Sequence, residues 1–164
     1  MIVMWDTSAL ISLVDKNRAN HEIAKKCYCK LLEHDEVQLV SSIAISEYAV
    51  QADASSLLQN LEFCIQEFNL NHALTAAKLK KITLEEKDLR SRDNTRNVVV
   101  NDTQLIGQAH AENVEVILTE DASTFCKTVA KLRDKGVICL KAILLNDNPL
   151  QYFGYTHIQG ELDL

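Results

Sequence analysis

Several residue types that mark common functional sites are scarce in this chain of 164 residues. It has only four glycines, all after residue 106, and therefore no G-x-G-x-x-G loop of the kind that binds a dinucleotide. No stretch approaches the roughly 18–20 apolar residues that a membrane span needs. The first apolar run follows no basic segment and is interrupted by Asp6, so we expect no signal peptide and no membrane partner. The scarcity of glycine argues against a Rossmann cofactor site.

Cysteine is present but not in a pattern that builds a site. The five cysteines are odd in number and none has C-x-x-C spacing, which argues against a disulfide framework and against a zinc site. Free cysteines on apolar periods behave as small hydrophobic residues and are typical of a reducing compartment. We therefore expect a cytoplasmic protein. The cysteines are Cys27, Cys29, Cys64, Cys126 and Cys139.

The net charge of −6 is unfavourable for a protein that binds nucleic acid through the phosphate backbone. One segment departs from this balance, since residues 78–96 contain seven basic and four acidic residues, a local charge of +3. A solvated helix face with ion pairs explains that segment equally well. The candidate substrate-binding residues are Lys78, Lys81, Arg90, Arg92 and Arg96.

Short apolar runs rich in β-branched residues alternate with helical patterns along the chain. Nearly continuous apolar runs are typical of strands covered on both faces, and strands separated by helices predict parallel βαβ crossovers. We therefore expect an α/β fold, a three-layer α/β/α sandwich with a central, mostly parallel sheet. The predicted strands are residues 2–5, 37–40, 114–118 and 137–140.

Three further segments have distinct patterns. An apolar stripe that starts at Leu57 and includes Ile65 predicts a helix ending near Phe68, and Asn101 is expected to cap a helix that carries Leu105. Residues 83–97 are polar and predict a fraying helix end or an exposed loop. We expect one domain over residues 1–145 and a C-terminal extension, 146–164, packed on it or trailing from it.

Four acidic residues fall where this fold would place a site. Asp6 and Asp121 each follow a predicted strand, Asp102 stands at the head of a predicted helix, and Glu47 lies within an apolar helical segment. Parallel sheets place their sites at the carboxyl ends of the strands, and a helix N-terminus favours an anion. Each aspartate has the simpler explanation of a helix cap, but a buried glutamate is costly unless it is paired or bound to a metal.

Converging carboxylates repel one another, so a cation is needed to hold them together. With oxygen ligands and no nearby His or Cys in the sequence, Mg²⁺ or Mn²⁺ fits best. Thr7, Ser8 and Thr119 supply hydroxyl groups beside the acids. The residues therefore predict a site for a hard divalent cation that acts on a phosphodiester.

Four segments in this order resemble PIN-domain nucleases, in particular the PIN-type (VapC-like) toxins of toxin–antitoxin pairs. The resemblance implies a five-stranded parallel sandwich, a divalent-metal site and endoribonuclease activity on RNA. It also implies homodimerisation and a small antitoxin partner. The segments are M-I-V-M-W-D-T-S-A-L-I, S-S-I-A-I-S-E-Y, N-D-T-Q-L-I-G-Q-A-H and V-I-L-T-E-D-A-S-T-F.

The family pattern carries over onto individual residues of this chain. Asp6, Glu47, Asp102 and Asp121 correspond to catalytic, metal-binding acids, with Ser8 and Thr119 as supporting hydroxyls. Glu120 departs from the pattern as an additional acid beside Asp121.

Two alternatives to a ribonuclease stay open from the sequence. The first is a catalytically silent PIN-like module for RNA binding or assembly, which would bind metal without turnover. The second is a phosphoryl-accepting receiver domain or a phosphatase, because these also place an aspartate after a strand. Lys141, which follows the last predicted strand, keeps this second alternative open.

Overall fold

Five parallel strands form the central sheet of the computed structural model, which describes residues 1–84 and 95–155 and, within them, all side chains except those of residues 56, 84 and 95–100. The strand order is β3-β2-β1-β4-β5, and every neighbouring pair is parallel. The strands are β1 (Ile2–Trp5), β2 (Val37–Ser41), β3 (Cys64–Gln66), β4 (Val116–Thr119) and β5 (Lys141–Leu144).

Helices cover both faces of the sheet. Successive residues of β1 point to opposite faces, so Val3 and Trp5 pack with helices α1–α4 while Met4 packs with helices α5–α7. This arrangement confirms the predicted three-layer sandwich. The helices are α1 (Thr7–Val14), α2 (His21–Glu33), α3 (Ser42–Ala49), α4 (Ser55–Asn60), α5 (Leu70–Leu84), α6 (Thr95–Ala111), α7 (Phe125–Asp134) and α8 (Pro149–Tyr152), with a 3-10 turn at Leu145–Asp147 before α8.

The strand order reverses between β1 and β4. The chain proceeds outward from β1 to β3 on one side, then crosses to β4 on the other side of β1. A parallel sheet opens a crevice at the carboxyl ends of its strands at such a point. The residues that follow β1 and β4 therefore line the place where a site is expected.

The predicted strand at residues 137–140 is wrong, because β5 begins at Lys141. Gly136 follows the end of α7 and lies in the left-handed region, at φ +67°. The residues between Gly136 and Lys141 connect α7 to the point where β5 starts to pair with β4. Ile138 and Leu140 are buried in this connection, so their apolar character reflects burial and not strand pairing. The register begins with Val116 beside Lys141.

The predicted helix from Leu57 to near Phe68 is also wrong in its second half. Helix α4 ends at Asn60, and β3 then pairs with the end of β2. The apolar stripe does not lie on one buried face, since Leu57 is buried whereas Leu58 is 49% exposed. A strand of three residues on the edge of the sheet is too short to show a period of two in the sequence.

Helix α6 begins at Thr95 and not at Asn101, so Asp102 lies about two turns inside the helix. The expectation that a helix N-terminus stabilises its charge is therefore wrong. Of the predicted loop at 83–97, residues 85–94 lie outside the described residues.

Residues after the 3-10 turn pack on the domain as far as they are described. Leu150, Phe153 and Tyr155 contact the core on the α1–α4 side, and the Tyr155 hydroxyl donates to Glu36 Oε1 at 3.0 Å. Residues 156–164 lie outside the described part, and the division at residue 145 stays a prediction.

Two further findings concern the cysteines and the helices of the described residues. All five cysteines lie within the described residues and are free thiols. Among the helices that the structure describes, none has the length and apolar character required to cross a membrane.

Gly107 allows α5 and α6 to pack in direct contact. A Cβ atom at this position would lie 2.6 Å from the Ala76 Cα and 2.7 Å from the Ala76 backbone nitrogen, distances that real Cβ atoms do not show. The absence of a side chain at Gly107 therefore sets the separation of the two helices.

We expect Gly107→Ala to destabilise the fold despite the higher helix propensity of alanine. The clash with backbone atoms should outweigh the propensity gain and give a net loss of about 1–2 kcal/mol in the free energy of unfolding. Urea unfolding followed by circular dichroism measures this. The control is Gly136→Asn, which tolerates the left-handed conformation in open space and should change the value by less than about 0.5 kcal/mol. Equal stability of Gly107→Ala and wild type would contradict the packing argument.

Candidate metal centre

Asp6 lies directly after β1 and caps α1. Its Oδ1 accepts a hydrogen bond from the Thr7 backbone N–H at 2.7 Å. Its Oδ2 accepts from the Ser8 hydroxyl at 2.7 Å and from the Thr119 hydroxyl at 2.8 Å. The cap explanation and the site explanation are therefore compatible, because one oxygen serves the helix and the other faces the end of β4.

Ser8 and Thr119 connect Asp6 to the loop that follows β4. The Ser8 hydroxyl accepts from the Glu120 backbone N–H at 2.8 Å, and the Thr119 hydroxyl accepts from the Asp121 backbone N–H at 3.0 Å. Each hydroxyl thus donates to Asp6 and accepts from the loop. Ser8 and Thr119, which were predicted as supporting hydroxyls, thus link Asp6 to the loop that carries Asp121.

Glu47 reaches the same edge from α3. Its Oε2 accepts a hydrogen bond from the Thr7 hydroxyl, and its Oε1 accepts from the Asn101 side-chain amide. The carboxylate therefore joins the start of α1 to the middle of α6. Thr7 was expected among the hydroxyls of the site, whereas Asn101 was expected only as a helix cap.

Asp102 differs from the other acids because one of its oxygens lacks a partner. Its Oδ2 is buried and accepts no hydrogen bond from the described residues. Asp102 lines a small cavity together with Asp6, Glu47 and Asn101. The cavity is about 10 Å³, which is about the space that one water molecule requires.

The pKa values of Asp102 and Asp6 are raised mainly by burial, and neighbouring negative charge adds to the rise. Burial, followed by the charges of Asp6, Asp121 and Glu47, raises the pKa of Asp102 to about 7. Burial also raises the pKa of Asp6, against the hydrogen bonds that it accepts, and the charge of Glu47 adds to the rise. Both groups are destabilised in the charged form, so a cation beside them would be bound favourably.

Asp121 is close enough to raise the pKa of Asp102 but is oriented differently. Its two oxygens accept four hydrogen bonds, from the backbone and the hydroxyl groups of Ser123 and Thr124. Burial raises the pKa of Asp121, but those hydrogen bonds together lower it to about 2. Asp121 does not line the cavity formed by the other three acids.

Glu120, the additional acid, faces away from this cavity. Its Oε1 accepts from the Ser12 hydroxyl at 2.6 Å and from the Asn20 amide at 2.7 Å. Asn20 precedes α2 and makes no side-chain cap hydrogen bond to it. Of the two neighbouring acids, Asp121 is therefore the one beside the site.

The residues present fit a hard divalent cation in their chemistry. Carboxylate and amide oxygens converge, and the unpartnered Oδ2 of Asp102 is an oxygen for which the described residues offer no donor. Within residues 1–84 and 95–155, however, no three carboxylate, imidazole or thiol groups are arranged so that they could hold a metal ion as they stand.

Comparison with family models matches the PIN domain over residues 3–131, most of the chain. The chain belongs to the PIN domain family. This confirms the resemblance that four sequence segments indicated and places the chain in a family of nucleases. Comparison with curated protein sequences gave no match.

Solved structures with the same PIN fold come from bacterial toxin–antitoxin pairs. Rickettsia felis VapBC2, bound to a DNA fragment from its promoter, is 20% identical with a TM-score of 0.54, over 88% of this chain and 98% of that chain. Mycobacterium tuberculosis VapC20, described as a Sarcin-Ricin loop cleaving toxin, is 14% identical with a TM-score of 0.53, over 79% and 94%. DNA-bound VapBC from Salmonella typhimurium is 13% identical with a TM-score of 0.54, over 88% and 98%. At these identities the likeness establishes the fold.

The fold brings the four predicted acids near one another. Of the five basic residues predicted to bind substrate, the structure describes the side chains of two. Lys78 and Lys81 are exposed on α5. Arg90 and Arg92 lie outside the described residues, as does the side chain of Arg96. Their role in substrate binding stays a prediction.

Sequence reasoning missed Asn101 and Thr124. Asn101 binds Glu47, and the Thr124 hydroxyl donates to Asp121 and also interacts with Asp102. Asn101 directly precedes Asp102, and its short polar side chain inside a helix was a signal that could have identified it.

The receiver-like alternative is disfavoured by the position of Lys141. Lys141 is the first residue of β5, beside the first residue of β4, whereas Asp6 follows the last residue of β1. Lys141 and Asp6 therefore lie at opposite ends of the parallel strands. The Lys141 ammonium instead lies 4.9 Å from the centre of the Tyr152 ring.

We expect Asp102→Asn to remove a pH-dependent loss of stability in the metal-free protein. A carboxyl whose pKa rises from 3.8 to about 7 on folding binds its proton more tightly in the folded state. Its contribution to stability is therefore fully present below pH 4 and is lost as the pH rises to 7. Because the group is partly exposed, we expect the wild type to lose about 1–3 kcal/mol relative to Asp102→Asn across that interval.

Urea unfolding at pH 4 and pH 8 with a chelator present measures this difference. Asp147→Asn, at an exposed acid in the 3-10 turn, is the control and should follow the wild type at both pH values. Parallel profiles for wild type and Asp102→Asn would contradict the assignment of the raised pKa.

Proposed function

We propose that this PIN-domain protein is a Mg²⁺- or Mn²⁺-dependent endoribonuclease that hydrolyses RNA phosphodiester bonds. Asp6, Glu47, Asp102 and Asp121 are its catalytic, metal-binding acids. The observation that carries the proposal is the small cavity that Asp6, Glu47 and Asp102 share, where Asp102 has a buried oxygen that accepts no hydrogen bond from the described part of the chain. Such an arrangement is costly in a protein that has no use for a cation.

The donor set supports a hard cation. Carboxylates and the carbonyl of an asparagine are ligands that Mg²⁺ and Mn²⁺ prefer, and among residues 1–84 and 95–155 no histidine or cysteine lines the cavity. When bound at such a site, a divalent cation activates water and stabilises the oxygens of a phosphodiester under attack.

The residues around the acids hold them in place before any cation binds. Ser8 and Thr119 fix one oxygen of Asp6, and Thr7 fixes one oxygen of Glu47. Thr7 and Ser8 lie on α1, and Thr119 is the last residue of β4. The site therefore begins with two of its acids oriented, which reduces the ordering needed on binding.

RNA as the substrate is supported by family membership and by the fold neighbour described as a Sarcin-Ricin loop cleaving toxin. The net charge of −6 is unfavourable for binding a polyanion. The local excess of positive charge in residues 78–96 is the candidate surface for the substrate backbone.

We expect Asp6→Asn and Asp102→Asn to lose RNA cleavage by at least about 100-fold while the fold persists, because each removes a charged ligand. Purified wild type and variants are compared on total RNA with Mn²⁺, with Mg²⁺ and with chelator. Circular dichroism checks the fold of each variant, and chelator should abolish wild-type cleavage.

The matched control for this experiment is Glu120→Gln. Glu120 precedes Asp121 in the chain but is bound by Ser12 and Asn20 outside the cavity, and the amide retains an oxygen that can accept both bonds. Its cleavage rate should stay within about threefold of wild type. Cleavage retained by Asp102→Asn, free of contaminating nuclease, would disprove the proposal.

A catalytically silent RNA-binding or assembly module is the second candidate. It is favoured because, within the described residues, no three carboxylate, imidazole or thiol groups are arranged to hold a metal ion. Mn²⁺ binding without turnover on any RNA, including total tRNA and rRNA, would establish this candidate in place of the first.

We further propose that the chain is a toxin that forms a homodimer and is inhibited by a small antitoxin. The VapBC structures among its fold neighbours support a toxin–antitoxin pair. Expression of the wild type should arrest growth of a bacterial host, and co-expression with the neighbouring reading frame should restore growth. Light scattering should give the mass of two copies of this chain.

Asp6→Asn is the control for the toxin proposal. It should permit growth by itself and still co-purify with the partner, because the substitution removes catalysis and leaves the surface unchanged. Growth arrest by Asp6→Asn equal to that by wild type would contradict an enzymatic toxin.

A further inference from the structure

A buried hydrogen-bond link joins the two helices that carry Glu47 and Asp102. Gln108, on α6, is fully buried, and so is Ser41, the last residue of β2. The Ser41 hydroxyl donates to Gln108 Oε1 at 2.5 Å. The same hydroxyl oxygen accepts from the Ile43 backbone N–H at 3.0 Å and so caps α3.

Gln108 also holds the edge of the sheet. Its Nε2 donates to the backbone carbonyls of Gln66 at 3.1 Å and Glu67 at 3.2 Å, at the end of β3. Both ends of the side-chain amide are thus used, by partners on two different strands. No water or charged group is needed to satisfy it.

Two side-chain hydrogen bonds therefore tie α3 to α6. The first is Ser41 with Gln108, and the second is Glu47 with Asn101. They are about 9 Å apart along α3 and about 10 Å apart along α6, from the rise per residue of a helix. Two ties with nearly equal spacing fix both the separation and the relative direction of two elements, whereas one tie would leave rotation free.

This link crosses the carboxyl edge of the sheet. Helix α3 packs on one face and α6 on the other, so Glu47 and Asp102 approach the cavity from opposite layers. Their separation is set by what joins those layers at the edge, and not by packing within one layer.

We propose that Gln108 is a positioning residue of the acidic site, holding the helix of Asp102 in register with the helix of Glu47 through Ser41. This inference rests on the proposed function for its effect on metal binding. Gln108 does not line the cavity, so it acts through the helices and not as a ligand.

Gln108→Met tests the link, because methionine keeps the length of the side chain and removes its hydrogen bonds. The matched control is Gln38→Met. Gln38 is also a buried glutamine, which accepts from the Trp5 indole N–H at 3.0 Å and donates to the Tyr28 carbonyl at 3.1 Å, but it does not connect α3 with α6. Both variants lose buried hydrogen bonds and should show a lower Tm.

The deciding measurement is Mn²⁺ affinity by isothermal titration calorimetry. We expect the Kd of Gln108→Met to be about tenfold higher than that of wild type, and that of Gln38→Met to be within about twofold of it. Equal Mn²⁺ affinities for the two variants would overturn the proposal. If Gln108→Met does not fold, Ser41→Ala removes the same link from its other end and should raise the Kd in the same direction.

A wild type that binds no Mn²⁺ would contradict the proposed function, and a double-mutant cycle then decides the positioning role without metal. Removing one tie should change the effect of removing the other. We expect Gln108→Met and Asn101→Ala to be non-additive by at least about threefold in the unfolding equilibrium constant, whereas Gln38→Met and Asn101→Ala should be additive. Additivity in the first pair would overturn the proposal.

Discussion

The mutual repulsion of carboxylates at the carboxyl edge of the sheet is the constraint on which the rest of this site depends. The protein compensates it with hydrogen-bond donors, and it does so unequally. Asp121 accepts four hydrogen bonds and its pKa falls to about 2, whereas Asp102 has a buried oxygen that accepts no hydrogen bond from the described residues and its pKa rises to about 7. Burial is the largest influence on both groups, but at Asp121 the hydrogen bonds together outweigh it, whereas at Asp102 the neighbouring negative charges add to it. A cation would therefore stabilise the charged form of Asp102 more than that of Asp121.

The parallel topology explains how acids from distant parts of the chain meet. Asp6 follows the central strand, while Glu47 and Asp102 lie on helices that cover opposite faces of the sheet. The site is therefore held by elements of all three layers. Hydroxyl groups at the ends of β1 and β4 connect these layers locally, and the buried Ser41–Gln108 link connects them behind the cavity.

The PIN domain match and the observed fold agree with this chemistry. The PIN domain match and the similar solved structures account for the parallel sheet. Glu120 faces away from the cavity, because Ser12 and Asn20 bind it. Helices α5 and α6 touch at Gly107 without an intervening side chain.

The sequence by itself determined the α/β class, the central strands β1, β2 and β4, and the four acids as candidates, because continuous apolar runs and acids at their ends are local patterns. Only the tertiary structure decided that residues 64–66 form a strand, that Lys141 starts β5, and that α6 begins at Thr95. The first two of these outcomes depend on pairing between strands far apart in the chain. The role of Gln108 was likewise invisible locally, because a polar side chain acquires its function from the partner that the fold brings to it.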